Sequence, residues 1–132
     1  NIYAAPKITP KLAITPTNAS NKLHIEARQQ VANDTAGENQ AMMLFQDTTA
    51  NALAGTSQRE QAVNIQQGPM ILNHYMTAGT TSSTTFKIRI GNGTRTHNHT
   101  GGTMTFNGAS GAATYQLGGV MTAQIMITEY EV

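Results

Sequence analysis

Thr77-Ala-Gly-Thr-Thr-Ser-Ser-Thr-Thr-Phe-Lys-Ile-Arg-Ile-Gly91 carries the clearest structural signal in this chain. A run of small polar residues feeds a segment in which Phe86, Ile88 and Ile90 alternate with Lys87 and Arg89. Successive side chains of an extended backbone point to opposite faces. The alternation therefore puts three apolar groups on one side and two cations on the other, the pattern of a half-buried strand.

The same period recurs along the chain. Upstream, 12–15 reads as a short strand ended by Pro16, and 17–21 is turn chemistry, since Asn and Ser side chains satisfy the backbone locally. From 22 to 31, Leu23, Ile25, Ala27, Gln29 and Val31 share one face while His24, Glu26 and Arg28 share the other. The segment 41–46 is continuously apolar, which predicts a strand covered on both faces. A strand edge and turn are expected at 50–55, with a brief helix as the alternative. Two strands, 61–67 and 70–76, are expected to be separated by Gly68-Pro69, because proline offers no amide to a ladder. Downstream, 103–107 and 120–130 complete a set of about eight strands spaced by Gly, Asn, Ser and Thr, the pattern of an antiparallel all-β sandwich.

Composition limits what such a sandwich can do. A chain of 132 residues is one domain's worth, and 1–11 reads as an N-terminal arm before a domain over 12–132. Only 11% of residues are charged and the net charge is +1, so neither nucleic acid nor an anionic membrane has an electrostatic handle. No apolar run approaches the roughly 18 residues that cross a bilayer. With no cysteine, disulfide staples and thiolate metal sites are excluded, and stability must come from burial and association. A first residue other than Met suggests a processed chain or a fragment.

Four segments resemble one family in order. They are Thr15-Pro16-Thr17-Asn18-Ala19-Ser20-Asn21-Lys22, Leu44-Phe45-Gln46-Asp47, the Thr81 to Ile88 segment, and the Ile125 to Glu129 segment. Together they resemble the trimeric jelly-roll heads of bacteriophage and aquatic-virus tail fibres and other virion surface proteins, which share the shape of tumour-necrosis-factor and complement heads. The resemblance spans about residues 8–132. It implies a jelly-roll homotrimer whose protomers pack through one sheet near the axis and leave their loops exposed.

Few residues offer chemistry. His97 and His99 in Thr96-His97-Asn98-His99-Thr100 could present two imidazoles to one ion, because alternate residues of an extended chain point the same way. In a trimer such segments could meet on the axis, where the resemblance to phage fibre tips implies iron or another transition metal; otherwise this is a solvated polar loop needing no cofactor. His24 and His74 read as hydrogen-bonded packing residues. The seven carboxylates include Glu129 and Glu131 on one strand face, but no nucleophile elbow, phosphate loop or metalloprotease helix occurs, so the chain reads as non-enzymatic. Among Tyr3, Tyr75, Tyr115 and Tyr130, Tyr115 lies in the glycine-rich 111–119 segment and, with Asn98, is the expected receptor contact. Asn-x-Ser/Thr sequons begin at Asn18, Asn33, Asn92 and Asn98 and matter only in a eukaryotic host.

The resemblance implies a virion surface protein, extracellular, whose partners are its own copies, other virion proteins, and a host-cell glycan or receptor. The alternative is a capsid decoration or cement protein that uses the same trimer to cap or bridge capsomers.

Overall fold

A computed structural model of the chain describes residues 10–33, 39–59, 67–93, 104–106 and 123–132. The described residues form eight strands and no helix: β1 (Lys11–Ile14), β2 (Lys22–Asn33), β3 (Asn39–Gln46), β4 (Ala54–Arg59), β5 (Gln67–Thr77), β6 (Thr84–Gly93), β7 (Met104–Phe106) and β8 (Gln124–Tyr130). One sheet has the order β1-β6-β3-β4. The other has β5 on one edge of β2, while β8 and β7 follow each other along the opposite edge, against 22–28 and 31–33 respectively. Every pairing is antiparallel.

The alternating residues explain why the sheets stack. Leu23, Ile25, Ala27 and Val31 of β2 and Met70 and Leu72 of β5 join Met42 and Leu44 of β3 and Phe86 and Ile88 of β6 in a single buried cluster. Each sheet turns an apolar face inward, and the two inner faces cover one another. Phe86 and Ile88 are fully buried while Lys87 and Arg89 stand on the outer side, as the period-two pattern requires.

Elsewhere the strands depart from expectation. β3 is covered on one face only by the second sheet: Met42 and Leu44 point inward, whereas Ala41 and Met43 are half-buried on the outer side. Phe45, also outward, gets its cover from the Arg89 guanidinium, 4.7 Å above its ring, a cation–π contact in place of another layer. β4 starts at Ala54 and runs on to Arg59, beyond the expected strand edge. Its Gly-Thr-Ser-Gln stretch has no apolar period, because this edge strand is held by its ladder to β3. β5 runs straight through Gly68-Pro69, with Pro69 opposite Gln30. An edge strand tolerates a residue lacking an amide donor. At Gly68 a Cβ would lie 3.1 Å from the end of the Gln58 side chain, which would have to shift slightly to admit it, so β4 and β5 approach closely at this end of the sandwich. Of the strand expected over 61–67, all but Gln67 lies outside the described residues, as do 120–122 of the expected closing strand.

Two corners are tied down by polar side chains. At the end of β3, Asp47 adopts φ 49°, a left-handed conformation that costs a non-glycine residue energy. Its carboxylate accepts hydrogen bonds from Thr85 N (2.7 Å) and Thr84 Oγ1 (2.8 Å), and the Lys87 ammonium donates to its carbonyl. In the Thr17–Asn21 corner, Asn18 Oδ1 accepts from Ser20 N and Ser20 Oγ, both at 3.0 Å. Buried Asn21 then receives Ala78 N on its carbonyl at 2.8 Å, joining this corner to the β5–β6 connection.

Candidate interaction face

Among the described residues, four of the six large exposed apolar side chains stand on the outer face of the β5-β2-β8 layer. Backbone register orders its outward residues in rows across the three strands: Thr77, Lys22 and Tyr130; Tyr75, His24 and Thr128; Asn73, Glu26 and Met126; Ile71, Arg28 and Gln124. Tyr75 is 67% exposed, Met126 54%, Ile71 50% and Tyr130 49%. Two apolar stripes, one on β5 and one on β8, thus flank a charged midline on β2.

Polar contacts hold the midline flat. The His24 ring stacks on Tyr75 with centroids 4.2 Å apart and planes 2° from parallel, and its Nε2 lies 3.0 Å from Asn73 Oδ1. Arg28 Nε donates to Glu26 Oε1 at 2.9 Å, and Lys22 Nζ donates to Thr77 Oγ1 at 2.7 Å. The charges are therefore engaged along the strand and across to β5.

Glu129, next to Tyr130, turns to the other side of β8 and has a structural role. Its Oε1 accepts from Thr17 N (2.8 Å), Thr17 Oγ1 (2.9 Å) and Asn21 Nδ2 (2.7 Å), pinning the closing strand to the Thr17–Asn21 corner. The Asn21 amide above all, then the hydroxyl and amide of Thr17 and the amide of Asn18, hold its carboxyl below the usual glutamate value against an opposing desolvation effect. At Asp47 the Thr85 amide, the Thr84 hydroxyl and the Lys87 charge likewise lower the pKa. Both carboxylates are stabilised as anions, the opposite of what a general acid needs. Glu131 lies past the end of β8 and is exposed, so the structure gives it no shared anchor with Glu129.

His97, Asn98, His99 and Tyr115 lie outside the described residues, as does nearly all of the 91–102 and 108–119 loops. Among the described residues no group of three or more His, Cys, Asp or Glu side chains converges to hold a metal. His24 stands on the outer face, and His74 is half-buried on the inner one. Of the four tyrosines, Tyr75 and Tyr130 are on the face, while Tyr3 and Tyr115 are outside the described residues. Nothing in the sequence singles out Ile71 as a surface group, because 70–76 is apolar at both parities and only strand pairing says which parity faces inward. No family model and no curated protein matches this chain.

Proposed function

We propose that this chain is a non-enzymatic virion surface protein, a homotrimeric jelly-roll head that binds a host-cell receptor or glycan through its exposed loops. Support for the jelly roll comes from the wiring. Each connection from β1 to β2, β2 to β3, β4 to β5, β5 to β6 and β6 to β7 passes from one sheet to the other, and among the described residues the only hairpin of neighbouring strands is β3–β4. Such sheet-switching returns are the habit of Greek-key and jelly-roll proteins.

The observation that carries the reading is β8. Ile125 and Ile127 turn toward the core, while Met126 and Tyr130 project, half exposed, from the other face, and Val132 beyond them is 81% exposed. A strand with apolar groups on both sides is built to be covered on both sides. Three copies packed around this stripe would supply the second cover and leave the glycine-rich loops free to vary on a constant frame.

The test is a double substitution, Asn98→Ala with Tyr115→Ala, in particles and in purified protein. Attachment to host cells falls while light scattering still reports a trimer and stability shifts by no more than about 0.5 kcal/mol, as exposed polar substitutions do. Normal attachment by the variant refutes the receptor role and favours capsid decoration; a monomer at micromolar concentration refutes the trimer.

A further inference from the structure

β5 ends the second sheet, and among the described residues no strand pairs with its outer edge. It is 11 residues long, against 4 for β1, 6 for β4 and 7 for β8. Of the shorter strands, β1 and β8 also carry charge, Lys11 and Glu129 respectively. An open edge presents a row of amides and carbonyls that templates another strand, and proteins blunt such edges by shortness, charge, proline or bulges. On β5 the only such device is Pro69, near its start. From Met70 to Thr77 there is no charge, no glycine and no proline.

The flanks of this edge are also incompletely covered. Ile71 and Tyr75 stand exposed on the outer face. On the inner face Met70 and Leu72 are buried, but His74 and Met76, which point to the same side, are only half covered. A strand laid alongside β5 would satisfy its backbone and shield both rows of side chains.

We infer that this strand is β5 of a second copy, running antiparallel about a two-fold axis at Asn73. A two-fold contact sets the same patch against itself, so a charge near its centre would meet its own like. β5 has none. In this register Ile71 lies opposite Tyr75 of the second copy, a β-branched residue against an aromatic one, while Met70 faces Met76 and Asn73 faces its twin. The result is one continuous sheet in the order β8-β2-β5-β5-β2-β8. The β8 stripe lies at the far side of β2 and stays available, so the pairing joins one trimer to the next and does not depend on the three-fold contact proposed above.

Sedimentation and light scattering of the full chain from micromolar to millimolar concentration test this. The mass of the basal species doubles with rising concentration. Asn73→Lys sets two ammonium groups against each other and weakens the doubling by about tenfold or more, and Asn73→Asp does the same with two carboxylates. An equimolar mixture of the two variants restores it, which separates the pairing from any loss caused by the missing His24 contact in either variant alone. A trimer that never doubles, an Asn73→Lys protein that doubles like wild type, or a mixture that stays apart overturns the inference. A dimer formed without any trimer supports it and removes the three-fold reading instead.

Discussion

Phe86→Ala is the substitution whose cost follows most directly from the layering of the two sheets. The ring is fully buried, with Leu12 of β1 opposite it on one side and Gln46 of β3 on the other. Removing a buried phenylalanine side chain costs about 3–5 kcal/mol, the lost transfer energy plus the cavity that a close-packed interior cannot collapse. At roughly 0.05–0.15 kcal/mol per residue, a domain of this length is stable by about 7–20 kcal/mol, so the variant folds but with much of its margin gone. With a urea dependence of about 2 kcal/mol per molar, the midpoint falls by about 1.5–2.5 M. Lys87→Ala is the matched control one residue along. It removes an outward side chain that donates to the Asp47 carbonyl, and costs about 1 kcal/mol or less, the net worth of one such hydrogen bond. Both unfolding curves are taken at one protein concentration, because association would stabilise the native state by mass action. Similar midpoint shifts for the two variants would refute the assignment of Phe86 to the interior and Lys87 to the outer face.

Acid should weaken the fold through two carboxylates. Glu129 and Asp47 have folded-state pKa values below their ordinary 4.5 and 3.8, so the stability from their hydrogen bonds is present above those values and is lost as the pH falls through the lowered ones. A melting-temperature profile of wild type drops in that acidic window, and Glu129→Gln flattens it; superimposable profiles would contradict the corner latch. Arg89→Ala uncovers Phe45 and lowers the melting temperature, whereas Arg89→Lys restores part of the loss, and an unchanged melting temperature in Arg89→Ala would remove the cation–π cover. Elemental analysis of purified protein finds no transition metal at His97 and His99, and about one ion per trimer, lost on acidification as imidazoles protonate, would establish an axial site.

Strand existence was open to reading wherever one face is wet. In 22–31 and 84–90 the inner and outer residues differ in chemistry, so a local period of two reports both the strand and its facing. Where both parities are apolar, as in 41–46 and 70–76, the strand was legible but its facing was not. The polar β4 left no side-chain pattern at all, since what holds it is the backbone of β3.

The interaction face lay further out of reach. Glu129 reads as a solvated terminal carboxylate until the chain brings Thr17 and Asn21, more than a hundred positions away, onto one of its oxygens. Likewise Ile71, Tyr75, Met126 and Tyr130 become two exposed stripes only when β5 and β8 take opposite edges of β2. Alternation is a property of each strand's own covalent geometry, so the amino-acid order alone established an all-β chain and the inward parity of those strands that have one wet face. Which strands pair and which apolar parity is left in water depend on contacts between distant segments, and those were decided only when the two sheets closed on a common core.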